Sequence, residues 1–181
     1  TNNLKTIKAI PLKLNNKHQA NIQEYIYIDV IKSTKLILSD ILKLKKLDFS
    51  LTFEVITILL FSLFYANKNT NNKSIKELNQ NLMNLFIQDI DHSFRLMGID
   101  MKLGKYVKSY LKKFYFRIRE LEDIFNENDF DSFSKYLKKY NLTINNNNKN
   151  LILKLFEDLK ILTKRHKNKE NSEVLFKSLF N

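Results

Sequence analysis

The chain has 181 residues, 31 Lys and Arg against 19 Asp and Glu, a formal net charge of +12 and a pI near 9.7. That length suits a single domain, and 44% apolar residues are enough for a sizeable core and too many for a disordered chain. Cys is absent, which removes disulfides, thiolate-bound zinc, iron–sulfur clusters and thiol catalysis; two Gly and one Pro leave little for hairpins or phosphate-cradling loops.

Residues 1–17 are polar around Pro11, with no apolar run of signal-peptide length. Residues 1–20 therefore read as a polar extension and 21–181 as the folded domain. Over residues 22–47 the apolar side chains Ile22, Tyr25, Ile26, Val30, Leu38, Ile41 and Leu42 recur at helical spacing. Asp48 and Ser50 mark a boundary, with Glu54 in the first turn of the next helix. The run VITILLFSLFYA at 55–66 is the most hydrophobic of the chain. Its twelve residues fall short of the roughly twenty that span a bilayer, so it reads as a buried core helix. A polar loop at 67–73 follows. Ser74 and Glu77 then match a capping box that opens a helix to about Met97, and Gly98 fits the left-handed C′ position. Asp100 is placed to cap a helix over 101–125, which Asn126 to Asp129 break. A short helix at 130–140, an asparagine loop at 145–148, and helices at 150–165 and 172–180 complete the chain. No segment alternates as a strand does. The expectation is an all-α, single-domain bundle of about seven helices.

Residues 101–121 carry the most information. At about 100° per residue, Leu103, Val107, Tyr110, Leu111, Phe114, Ile118 and Leu121 share one arc, a core face. Lys105, Lys108, Lys112 and Arg119 share the opposite side. Lysines one turn apart repel, so helix stability does not ask for this stripe. It suits an anionic partner such as RNA phosphate, acidic lipid headgroups or an acidic protein, or it is a solvated face in a lysine-rich chain. Lys, Asn and Ile all have AT-rich codons, and Lys outnumbers Arg 27 to 4, so a drift towards AT would raise this charge without any selection on function.

Upstream, Asp91 and Arg95 stand in the favourable i,i+4 order, and Phe94 with Met97 reads as core. Asp89 and Asp91 are two apart and do not share a helix face, which argues against a carboxylate pair or a metal cage. The three His are isolated, and no nucleophile–base pair, phosphate loop or ligand cluster appears. No enzyme and no cofactor are expected.

The block DIDHSFRLMGIDMKLGKYVKSYLKKFYFR, residues 89–117, resembles the signature of the ubiquinol–cytochrome c chaperone family, the assembly factors of the cytochrome bc complex (complex III). Asp89, Asp91, Arg95, Met97 and Gly98 match its first part, Lys105 and Lys108 its basic part, and Phe114, Tyr115 and Arg117 its end. Phe116 stands where the family usually has Gly, Leu96 where it usually has an acid, and the loop after Gly98 is about a residue short of the family's. The resemblance implies an all-helical, non-enzymatic protein at the matrix side of the mitochondrial inner membrane, or in bacterial cytoplasm at the inner-membrane periphery. Its implied partners are cytochrome b or an assembly intermediate, a small partner chaperone, and the ribosome or an anionic membrane, with no small-molecule substrate. The residues themselves also fit a generic basic protein that binds RNA or ribosomes, or a helical interaction module unrelated to respiration.

Overall fold

A helix that is apolar on every side must be enclosed, and the arrangement of this chain follows from enclosing one. The computed structural model describes residues 21–44, 48–143 and 149–181. The expected extension at 1–20 and the loop at 145–148 lie outside those residues. In chain order the helices are α1 (Ile22–Leu36), which runs on into a π turn (Ile37–Ile41), α2 (Phe49–Ala66), α3 (Lys73–Leu96), α4 (Leu103–Glu127), α5 (Phe130–Lys139), α6 (Lys149–Lys167) and α7 (Ser172–Leu175). The described residues contain no strand. The all-α, single-domain expectation holds.

Every residue from Phe53 to Leu63 in α2 is buried. α1, α3, α4 and α6 surround it, and α6 makes the most extensive contact. The expected boundary at Asp48 holds: Asp48 accepts a hydrogen bond from the Leu51 N–H at 2.9 Å and the helix starts at Phe49. Two points of the sequence reading need correction. The twelve-residue apolar run is part of an 18-residue helix, so its length alone does not set it apart from a membrane span. By length and composition it could cross a membrane; in this fold twelve of its residues are buried inside the protein. Glu54 lies past the first turn and in the interior.

Other ends differ from expectation for identifiable reasons. The helix expected over 22–47 stops early: the Leu42 N–H bonds Ile37 O in π fashion, Lys43 turns left-handed at φ +53°, and the Leu44 N–H closes on Leu38 O. Ile22 and Tyr25 are exposed despite their spacing. Ser74 does not cap α3. The Asn72 carboxamide oxygen, two residues earlier, accepts from the N–H groups of Ser74 and Ile75 and pre-empts it. Asp100 does not cap α4 either, because Lys102 occupies that position with φ +68° and no side-chain cap. At the other end of α3, Gly98 behaves as expected. Its φ is +76°, its N–H bonds Arg95 O, and the Ile99 N–H reaches back to Phe94 O. The last helix is only four residues, since the chain folds back on α6 to bury Phe180. The Asp158 carboxylate accepts from the Phe180 N–H at 2.9 Å, and the Arg165 guanidinium donates to the carbonyls of Val174 and Lys177.

Phe and Tyr bind these layers together. Phe49 and Phe53 of α2, Phe86 and Phe94 of α3, and Tyr110 and Phe114 of α4 form one chain of ring contacts, mostly tilted or edge-on, at 4.9–5.7 Å. Phe61, Phe125, Phe133 and Phe156 form another toward α5 and α6. Phe114 is buried against α2 and α3, whereas Leu111 is half-buried at the edge. Phe114→Ala should therefore cost about 3–5 kcal/mol in urea denaturation, and Leu111→Ala distinctly less. An effect below about 1 kcal/mol for Phe114 would mean that α4 is rotated away from this packing.

Candidate functional site

The candidate face is the outward side of α4, and a buried ion pair fixes which side that is. Glu54 is the single charged residue of α2. Arg117 grips it with two hydrogen bonds, Nε to Oε2 at 3.1 Å and a terminal nitrogen to Oε1 at 2.9 Å. The two side chains are 6% and 13% exposed. The far face of the guanidinium lies over the Tyr140 ring at 3.7 Å. Fork geometry, a desolvated setting and a ring to stack on are what Arg provides and Lys does not. Burial pulls the Arg117 guanidinium toward a lower pKa, and the Glu54 contacts outweigh that and raise it. Next to the pair, burial and the Glu54 charge push the Tyr136 phenol well above its ordinary range. Tyr140 and Lys139 both donate to Glu120, which fastens the end of α5 to the same stretch of α4.

A second anchor ties α1 to α3. The Tyr27 hydroxyl donates to Asp89 Oδ2 at 2.9 Å. Burial holds the Asp89 carboxyl above its usual range, with the Tyr27 hydrogen bond and His92 acting against it. Asp91 and Arg95 form the expected surface pair at 2.8 Å, and His92 is exposed. Phe94 is buried and Met97 packs half-buried against the core. Gly98 makes the turn between α3 and α4.

Lys105, Lys108, Lys112 and Arg119 are all exposed on the opposite side of α4 from Phe114 and Leu121. None of them forms a salt bridge among the described residues. Tyr115 and Phe116 are exposed among them. An open groove with a volume of about 330 Å³ adjoins this face, between the end of α2, the first half of α3 and the middle of α4. Phe64, Met83, Phe114, Tyr115 and Ile118 give it apolar walls, and Asn67, Lys68, Thr70, Lys76, Asn79 and Gln80 complete its lining. Tyr115 thus belongs to both the groove and the basic face. Among the described residues no group of three or more His, Asp or Glu is placed to hold a metal ion.

Sequence reasoning missed Glu54 and Tyr140. A lone acid in an apolar helix, in a chain with four Arg, was the available signal for Glu54. Tyr140 had none, because its contact spans 23 residues and depends on how α5 folds back.

Two predictions follow from these anchors. Glu54→Leu or Arg117→Met alone should each cost about 3–5 kcal/mol in urea denaturation, because a buried charge is left unpaired. The double variant should recover most of that loss; additive costs would show that the pair is not coupled. Asp89 keeps its proton more readily folded than unfolded. Its contribution to stability is thus full below the ordinary carboxylate pKa of about 3.9 and declines as pH rises through the higher folded value. Asp89→Asn, whose carboxamide oxygen still accepts from Tyr27, should remove that decline, so its stability relative to the parent chain should rise with pH. Parallel stability–pH profiles for the two proteins would contradict the assignment.

The comparisons with known proteins agree with this architecture. No curated protein matches the chain. A solved structure, described as the crystal structure of the Cbp3 homolog from Brucella abortus, superposes with a TM-score of 0.64 over 87% of each chain, at 16% identity. At that identity the likeness is one of fold. The family model for the ubiquinol-cytochrome C chaperone matches residues 48–145, from the cap of α2 past the end of α5, which is more than half of the chain. The chain belongs to the ubiquinol–cytochrome c chaperone family.

Proposed function

We propose that the chain is a non-enzymatic assembly chaperone of the cytochrome bc complex, whose client is newly made cytochrome b or an assembly intermediate containing it. Family membership supports the class of activity. The observation that carries the reading is the junction of two surfaces at Tyr115: an open apolar groove and an unpaired basic helix face. A chaperone for a hydrophobic polypeptide needs apolar surface to shield it and a means of staying where the client emerges. The groove supplies the first. Lys105, Lys108, Lys112 and Arg119 supply attraction to an anionic surface, ribosomal RNA or membrane, at that place. A small partner chaperone fits the same scheme as a further contact. The corresponding location is the matrix side of the mitochondrial inner membrane or the cytoplasmic side of a bacterial one. The alternative, a basic protein that binds RNA or ribosomes only, draws on the lysine face and leaves the groove unused.

Affinity capture of the tagged protein from native membranes, at low and high salt, separates the two. Cytochrome b should co-purify and survive high salt, because apolar contacts are not screened. Ribosomes alone, lost at high salt, would overturn the chaperone reading in favour of the RNA one. The triple variant Lys105→Glu, Lys108→Glu, Lys112→Glu should fold normally and lose the salt-sensitive fraction of its partners.

A further inference from the structure

We propose that the α3–α4 end and the adjoining outward face of α4 form a contact surface for an anionic lipid bilayer, with Leu96 and Met101 entering the headgroup–acyl boundary. The inference rests on the chaperone reading only for its setting at a membrane; its physical basis is separate. Large apolar side chains are rarely exposed in groups. Here Leu96 is 64% exposed, Met101 88%, Tyr115 59% and Phe116 58%, and with Tyr106 they are half of the large apolar residues exposed anywhere among the described residues. All five fall within residues 96–116.

The charge around them is equally uneven. From residue 96 to 119 the outward charges are Lys102, Lys105, Lys108, Lys112, Lys113 and Arg119 against one exposed acid, Asp100, while Arg117 is held inward by Glu54. The acids of α4 begin at Glu120. This order opposes the helix dipole, which favours acids at the N-terminal end and cations at the C-terminal end. The lysines also repel one another. An external anionic surface is the partner that offsets both costs.

The chemistry of the apolar members chooses between anionic surfaces. Leu96 and Met101 neither stack on bases nor hydrogen-bond phosphate, so an RNA ligand would leave them unused. At a bilayer they enter the boundary region, Tyr115 and Phe116 sit at headgroup depth, and the lysines meet the anionic headgroups. Leu96 ends α3 and Met101 precedes α4, so the two flank the Gly98 turn at one tip of the bundle.

The chain has no Trp, so Met101→Trp installs a single fluorescent reporter at this tip. On mixing with phosphatidylcholine vesicles containing phosphatidylserine, its emission should shift to the blue. Phosphatidylcholine vesicles alone, or polyuridylate RNA, should cause no shift. In flotation assays, Leu96→Asp with Met101→Asp should weaken binding to the anionic vesicles about tenfold, and the triple lysine-to-glutamate variant should abolish it. Circular dichroism of each variant checks folding, and these exposed positions should leave it unchanged. Absence of vesicle binding at low salt, binding that ignores the Leu96 and Met101 changes, or RNA binding without vesicle binding would each overturn the proposal. The chaperone reading is scored separately, by capture of cytochrome b from detergent-solubilised membranes, where no bilayer remains. Client capture without vesicle binding would sink the bilayer contact alone, whereas vesicle binding without client would sink the chaperone reading alone.

Discussion

The Glu54–Arg117 pair is the constraint on which the rest of the structure turns. An apolar helix can pack on another in several rotational settings at similar cost, because hydrophobic contact has no direction. A bidentate ion pair has direction. With Glu54 inside α2 and Arg117 on α4, one rotation of α4 leaves both charges satisfied. In that rotation Phe114 and Leu121 face the core and the lysines face outward. A buried pair of this kind adds little net stability over an apolar replacement. Its contribution here is orientation: any other setting leaves a charge unpaired in the interior, which is expensive.

The family block has a different meaning once its residues are in place. Most of them are scaffold. Asp89 holds α1 through Tyr27, Gly98 makes the turn, Phe114 fills the layer between α2 and α3, and Arg117 fixes the rotation of α4. Asp91 and Arg95 form an exposed pair, of the kind that contributes little. The matched positions left on the outside, besides that pair, include Tyr115, Lys105 and Lys108. The two positions where the block departs from the family pattern, Leu96 and Phe116, are both exposed. Neither change disturbs an anchor; each adds apolar area to the outward side.

Helical periodicity made the architecture legible. The face assignments on α4 needed only the period of the helix and the identity of each residue, and Gly98 could be placed because Gly takes a positive φ at no steric cost, whereas Lys43 and Lys102 take one without any such signal. What periodicity does not carry is competition between caps. Asn72 and Ser74 are both good caps, and the choice depended on how the loop enters α3. Composition likewise hid Glu54. One acid beside a boundary looks like an N-terminal residue until the cap at Asp48 sets the phase of the helix. The groove was out of reach, since its walls come from three helices and its shape depends on their separation.

The distribution of charge along α4 also gives the molecule a polarity. The basic part of the helix, up to Arg119, and its acidic end, from Glu120, are different environments on one rigid rod. Lys68, Lys139 and Tyr140 meet the acidic end through Glu122 and Glu120, so two of its four acids are engaged within the fold, while Asp123 and Glu127 are exposed. The lysines at 105, 108 and 112 have no such partners among the described residues. The fold thus uses Glu120 and Glu122 to secure α5 and the end of α2, and leaves the field at the opposite end of α4 uncompensated. An uncompensated field at one end orients the protein as it approaches a charged surface, before any contact is made.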